Sequence, residues 1–221
     1  METQGLGEHM NFMIQQSLKL VETGRVPDAV IRAAIRNLSK KRLVQEGRYD
    51  PALAAQRYMD VLNMLKSSAI AIETDAANEQ HYELPTAFFQ AVLGKHLKYS
   101  ACYFADEKTT LDQAEAATLQ IYCERAQLQD GQHILELGCG WGSLTLWMAE
   151  RYPHAKITAV SNSATQREYI LAQAKLRGFQ HVEVITSDVN VLELDAAQFD
   201  RVVSVEMFEH VRNYQKLFER I

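Results

Sequence analysis

The 221-residue sequence is poor in residues that would indicate a disulfide-rich or disordered protein, with only three cysteines and four prolines. Cys102, Cys123 and Cys139 form no C-x-x-C pair, which favours a reducing compartment over a disulfide framework. No apolar run approaches the roughly 20 residues of a membrane-spanning helix, and we identify no signal-peptide pattern. The net charge of −5 provides no general attraction to nucleic acid. We therefore expect a cytoplasmic protein without a transmembrane segment.

What the sequence does contain is typical of a globular protein, with 47% hydrophobic and 23% charged residues. Apolar residues at helical spacing predict a helical N-terminal region over residues 1–75, without catalytic residues of its own. Residues 76–130 are expected to form a connector and a cover for an active site. Residues 131–221 alternate strand and helix patterns, which predicts a parallel α/β sheet with right-handed crossovers.

Four strands are predicted in this last region, and ligands of such sheets bind beyond the carboxyl ends of the strands. The first strand starts at Ile134. The others are predicted at Lys156–Val160, Val182–Ile185 and Phe199–Val205. A helix over Ala164–Gly178 should end on its glycine, and another should start at Asn213 or Tyr214.

A glycine-rich turn follows the first strand, within the stretch Ile134–Gly142. Gly138, Gly140 and Gly142 are spaced G-x-G-x-G, which differs from the G-x-G-x-x-G of dinucleotide sites, and no phosphate-binding Gly-Lys-Ser/Thr is present. Glu136 is unsuited to a phosphate but suits a cationic ligand, such as the sulfonium and amino group of S-adenosylmethionine (SAM). The alternative is a plain strand-to-helix turn.

Polar residues also follow the second and third strands. Asn162 is placed to bind the ribose hydroxyls of SAM, and Gln166 can reach the same ribose or the methionine carboxylate. Asp188 can accept the exocyclic amine of adenine, while Val189 packs on the ring. Alternatively, Asp188 is a solvated loop acid, and Asn162 and Gln166 belong to a helix cap. Because strand ends meet at one edge of the sheet, we favour a shared nucleotide site.

An acidic cluster follows the fourth strand. Glu206, Glu209 and His210 are spaced i, i+3 and i+4, so one helical turn would bring them to one face. Two carboxylates could hold a cationic amine, and an imidazole or carboxylate could remove its proton before methyl transfer. The alternative is acidic residues at a helix N-terminus beside a core histidine. The other histidines show no metal-ligand spacing with His210, so we expect no metal.

The segment Lys98–Phe104 is rich in aromatic and small residues and has no helical period. We expect it to form a loop across the mouth of the nucleotide site, and we include its Tyr99 among the candidate cofactor-binding residues.

Five segments together resemble the SAM-dependent methyltransferases of the cyclopropane-fatty-acid-synthase superfamily, and most of all its coclaurine N-methyltransferase branch. They are EQHYELP at Glu79–Pro85, KYSACYF at Lys98–Phe104, ELGCGWGS at Glu136–Ser143, VSNSATQ at Val160–Gln166 and EMFEH at Glu206–His210. Five motifs in the same order are specific, whereas each one alone would not be. The resemblance covers about residues 75–221, and the N-terminal helices more weakly.

The resemblance implies a Rossmann-like class I methyltransferase fold and SAM as the methyl donor. The SAM pocket is expected to contain Ser100, Gly138, Asn162, Gln166, Asp188, Val189 and Val205. The trio Glu206, Glu209 and His210 is expected to be catalytic, as in the N-methylating branch. The family domain has seven strands, of which only about four are predicted here, so we expect a C-terminally truncated chain.

Two departures from the cyclopropane synthases favour an amine over a lipid acceptor. Those enzymes typically carry a cysteine directly after the Tyr-Ser pair, where this chain has Ala101. They also typically carry glycine where this chain has Glu206. Three hypotheses remain: an N-methyltransferase for a small amine, a cyclopropane-synthase-like enzyme acting on lipid, or an inactive fragment.

Overall fold

The structure, a computed structural model, describes residues 14–72 and 84–221. Residues 1–13 and 73–75 of the predicted helical region, and residues 76–83 of the predicted connector, lie outside these residues. The chain divides into two compact units between Met64 and Leu65. Residues 65–72, which the sequence assigned to the helical region, therefore belong to the unit that contains the sheet.

The first unit is helical. Residues 14–22 are helical, and they are followed by α1 (Asp28–Gln45) and α2 (Pro51–Ser67), which continues past the division. The carboxylate of Asp50 caps α2 by accepting two backbone N–H groups of its first turn, each at 3.1 Å. In residues 14–72 and 84–221, no helix is both long enough and apolar enough to cross a membrane.

The second unit consists of a parallel sheet with helices. The helices are α3 (Thr86–Val92), α4 (Leu111–Arg125), α5 (Ser143–Arg151), α6 (Ala164–Leu176) and α7 (Tyr214–Arg220). The strands are β1 (His133–Leu137), β2 (Lys156–Ser161), β3 (Val182–Thr186) and β4 (Arg201–Ser204). The α/β fold with about four parallel strands is thereby confirmed.

The strand order is β3-β2-β1-β4, and every pair is parallel. Helices α5 and α6 connect β1 to β2 and β2 to β3, whereas the connection from β3 to β4 contains turns and no helix. Strands β2 and β3 are added on one side of β1, whereas β4 is added on its other side, so the strand order reverses between β1 and β4. A crevice outside the carboxyl ends of strands is expected at such a point.

Both faces of the sheet are packed. On one face, Ile134, Ile157 and Val203 pack against Leu119 of α4 and Met148 of α5. On the other face, the cluster contains Leu135, Leu137, Val160 and Leu192. Alternation along β1 places Glu136 on the same face as Ile134. The acidic residue is therefore directed towards the helices and into the interior.

Strand β4 is shorter than predicted at both ends. At its start, the Asp200 N–H donates to the carbonyl of His133 at 2.8 Å, and the Asp200 carboxylate accepts the His133 N–H at the same distance. Beyond its end, Glu206 has a φ of 51°, which is incompatible with extended backbone. Side-chain capping and a left-handed residue thus limit a strand that the apolar run alone predicted as longer.

Candidate active site

A cavity of about 420 Å³ lies at the carboxyl edge of the sheet, between the ends of the strands and the segment after α3. Twelve of the fourteen predicted site residues line it. They are Tyr99, Ser100, Glu136, Gly138, Gly140, Asn162, Gln166, Asp188, Val189, Val205, Glu206 and His210. Gly142 and Glu209 are not part of this lining. The fold therefore brings together residues that lie up to 111 positions apart in the chain.

The three glycines of the turn have different surroundings, although each has a positive φ. A Cβ on Gly138 would lie 2.7 Å from the side chain of Met207, and one on Gly142 would lie 2.6 Å from Ile170. A Cβ on Gly140 would meet nothing within 4 Å. Gly142 is thus required for packing against α6, whereas Gly140 leaves open space on the cavity side.

Glu136 is a buried acid in the cavity wall, with only 4% of its surface exposed. Its Oε2 accepts a hydrogen bond from the Thr145 hydroxyl at 2.6 Å. Burial raises the pKa of Glu136 to about 8, and the Thr145 hydrogen bond only partly opposes this effect. A cationic group in the cavity would favour the ionised carboxylate. The site therefore suits a positively charged ligand.

Gln166 is also buried, at the start of α6. Its Oε1 accepts a hydrogen bond from the Ser161 hydroxyl at 2.7 Å, and this fixes the orientation of the side-chain amide. Three polar atoms of the lining are buried without a hydrogen-bond partner in the described chain: Gln166 Nε2, Ser143 Oγ and Trp141 Nε1. Because an unpaired buried donor is costly, these atoms are suited to a ligand with acceptor oxygens.

Asp188 and Val189 follow β3 in a turn with a fixed backbone. The Asp188 carboxylate accepts the Asn190 N–H at 2.6 Å. The Arg220 guanidinium of α7 donates to the carbonyl of Val189 at 2.7 Å, and Val189 is 9% exposed. An acceptor and an apolar surface thus lie side by side at the end of the third strand.

The acidic cluster does not form the helical turn that its spacing predicted. Glu206 precedes the turn in a left-handed conformation, and only Phe208–His210 form one turn of 3₁₀-helix. Glu206 and His210 line the cavity, whereas Glu209 is exposed outside it. The i, i+4 rule requires continuous α-helix, which the φ of Glu206 interrupts.

The predicted loop over Lys98–Phe104 contains no helix or strand. Its Ala101 N–H donates to Glu206 Oε1 at 2.9 Å and so connects the loop to the acidic cluster. The cavity is also lined by Lys98, Ser143 and Ile72, for which the sequence predicts no role in the site. Lys98 and Ser143 adjoin predicted site residues in sequence, but their residue types indicated no role.

No group of three or more His, Cys, Asp or Glu side chains in residues 14–72 and 84–221 is arranged to hold a metal ion. The three cysteines are free thiols. The polar side chains that line the cavity include three carboxylic acids, two amides and one imidazole: Glu136, Asp188, Glu206, Asn162, Gln166 and His210.

A family model described as mycolic acid cyclopropane synthetase matches residues 71–221, which is more than half of the chain. The chain belongs to this family. The match begins beside the cavity residue Ile72 and includes every described segment that lines the cavity.

Two curated relatives represent different chemistries. The (S)-coclaurine N-methyltransferase of Thalictrum flavum subsp. glaucum is 39% identical over 211 residues, covering 95% of this chain and 58% of that protein. The cyclopropane-fatty-acyl-phospholipid synthase of Escherichia coli (strain K12) is 37% identical over 142 residues, covering 63% of this chain and 35% of that protein. The chain therefore spans little more than half the length of the first relative.

A crystal structure of coclaurine N-methyltransferase bound to N-methylheliamine and SAH resembles this chain with a TM-score of 0.78 and 41% sequence identity. The alignment covers 94% of this chain and 60% of that one. These comparisons confirm the resemblance to the superfamily and its N-methyltransferase branch. They also confirm the Rossmann-like methyltransferase fold.

Proposed function

We propose that the protein is a SAM-dependent methyltransferase that methylates a small amine. The observation that carries this proposal is the buried Glu136 carboxyl in the same cavity as the unpaired amide N–H of Gln166. SAM contains an amino acid group with both an ammonium and a carboxylate, which match an acid and a hydrogen-bond donor. The N-methyltransferase relatives support the same conclusion.

On the donor side, Glu136 would bind the ammonium of SAM. Gln166 and Asn162 would bind its carboxylate or ribose, with Ser100 and Ser143 as further hydroxyl partners. The adenine ring would lie at Asp188 and Val189, with Val205 and Tyr99 as additional wall residues. Gly138 and Gly140 would allow close approach of the backbone. When bound, SAM supplies an electrophilic methyl group on a sulfonium.

On the acceptor side, Glu206 would attract the cationic amine, and His210 would remove a proton to expose its lone pair. Holding the amine in line with the donor lowers the entropic part of the barrier. Glu209 lies outside the cavity lining, so we assign it a supporting contribution to the negative potential at the rim. A cytoplasmic location agrees with three free thiols.

The proposal can be tested with methyl-labelled SAM and three acceptor classes: benzylic amines, alkyl amines and a phospholipid with unsaturated acyl chains. Transfer to an amine alone is the expected result. Transfer to the phospholipid alone would overturn the acceptor assignment and favour the lipid-modifying alternative. SAM binding without transfer to any class would favour an inactive fragment.

A further inference from the structure

Lys98 is a buried lysine at the cavity, with only 3% of its surface exposed. Its Nζ donates to the Ser100 hydroxyl at 2.5 Å and to the carbonyl of Ala101, and it lies 5.1 Å from the centre of the Tyr122 ring. No ion pair to Lys98 occurs within the described chain. Because an ammonium is costly to bury, its placement beside neutral partners calls for an explanation.

The loop around Lys98 is anchored to α4 on both sides. The buried carboxylate of Glu115 accepts the N–H groups of Gly94, His96 and Lys98 at 3.0, 2.7 and 3.1 Å. On the far side, the Thr118 hydroxyl accepts the backbone N–H of Tyr103 at 2.7 Å. Helix α4 therefore fixes the ends of the loop, and Lys98 acts within the span between them.

Within that span, the Lys98 ammonium contacts two consecutive residues of the loop, Ser100 and Ala101. Ser100 lines the cavity, and its hydroxyl oxygen accepts a hydrogen bond from the Lys98 ammonium, so its own hydroxyl proton is directed elsewhere. Ala101 is held at both backbone polar groups, because its carbonyl accepts from Lys98 and its N–H donates to Glu206. A single ammonium thus fixes both Ser100 and the backbone donor to Glu206.

We propose that Lys98 is a positioning residue that couples the donor side to the acceptor side, by fixing Ser100 towards SAM and the Ala101 N–H towards Glu206. This inference rests on the proposed function for its catalytic consequence. Its structural part states that Lys98 restrains the backbone of Ser100 and Ala101. This part can be tested without any enzymatic turnover.

The structural part can be tested by amide hydrogen exchange at Ala101 in the Lys98→Met variant. Since Ala101 is exposed, its N–H depends on Glu206 for protection. We expect at least tenfold faster exchange in Lys98→Met and less than a twofold change in Lys95→Met, which removes an exposed lysine of the same loop. Unchanged exchange at Ala101 in Lys98→Met would overturn the proposal.

The functional part is tested by SAH affinity and by kcat on an accepted amine. We expect Lys98→Met to weaken SAH binding threefold to tenfold and to lower kcat at least tenfold, while Lys95→Met matches the wild type. Lys98→Arg retains a cation and should recover part of both losses. If SAH binding and kcat fell only in proportion to the folded fraction, with an unchanged SAH affinity per folded molecule, the proposed coupling by Lys98 would be contradicted.

The design separates failure of this inference from failure of the proposed function. If the wild type methylates no amine, the proposed function fails, while the SAH and exchange measurements still test Lys98. If Lys98→Met does not fold, Lys98→Gln provides a second neutral variant. Wild-type exchange and SAH affinity in that variant would contradict the proposal, and the expected losses would support it.

Discussion

The two sides of the cavity differ in how their functional groups are held. On the proposed donor side, Glu136 and Gln166 are 4% and 2% exposed and belong to a strand and a helix. On the proposed acceptor side, Glu206 and His210 are exposed; Glu206 lies outside any helix or strand, and His210 ends a single turn of 3₁₀-helix. Glu206 has a positive φ and is held by a backbone N–H from a separate loop.

The two halves of the proposed bisubstrate site are therefore held in place by different kinds of interaction. Burial within regular elements fixes the donor side and shifts the pKa of Glu136 upwards. The acceptor side depends on contacts between loops, which can change without disturbing the sheet. We therefore expect substitutions on the two sides to separate donor binding from turnover.

The largest expected effect is on the acceptor side. Glu206→Gln should lower kcat for an amine about 10²–10³-fold, because the carboxylate that orients the cation is lost. SAH affinity should stay within twofold of the wild type. The control is Glu209→Gln, which removes an acid outside the cavity and should cost less than tenfold. Equal losses in both variants, measured by initial rates, would contradict the assigned difference.

Glycine substitutions compare packing with ligand space. Gly142→Ala should destabilise the fold by about 2–4 kcal/mol, since its Cβ would meet Ile170 in a left-handed conformation. Gly140→Ala should cost only about 1 kcal/mol and mainly reduce SAH affinity. Urea unfolding and calorimetry separate the two results. Equal destabilisation by both substitutions would show that the surroundings of these glycines do not matter.

On the donor side, Glu136→Gln should weaken SAH binding about 10–100-fold, because the ammonium loses its charged partner. An exposed acid on β3, which β2 separates from β1, provides a matched control, and Glu183→Gln should leave the affinity unchanged. Calorimetry of both variants measures the difference. If Glu136→Gln bound SAH with wild-type affinity, the assignment of Glu136 to the donor site would be contradicted.

The same substitution should stabilise the ligand-free protein in a pH-dependent way. The folded pKa of Glu136 is about 8, above its ordinary value of 4.5. Ionisation therefore favours the unfolded chain increasingly from pH 4.5 to 8, and the full penalty is present above pH 8. Because each pH unit between these two pKa values corresponds to about 1.4 kcal/mol, Glu136→Gln should gain several kcal/mol, up to about 5, at pH 8.5 and almost nothing at pH 4.5. Urea unfolding that showed the larger gain at pH 4.5 would contradict this sign.

Sequence reasoning located the strand ends because apolar runs mark buried parallel strands, and their carboxyl ends share one edge. Asn162 and Asp188 were found in this way. The helical turn predicted to begin at Glu206 was wrong, because the left-handed backbone of this residue depends on tertiary contacts and not on local spacing. Sequence reasoning also missed Lys98, since lysine is usually exposed and only the folded loop shows that its ammonium is buried.

The most direct test of the donor site is calorimetric SAH binding at pH 7, measured in buffers of different ionisation enthalpy. In the ligand-free protein Glu136 is largely protonated at this pH, and it should ionise when the ammonium of SAH binds beside it. We therefore predict that SAH binding releases close to one proton from the wild type and that this release is absent in Glu136→Gln. The account would be contradicted by undetectable SAH binding, or by the same proton release in both proteins.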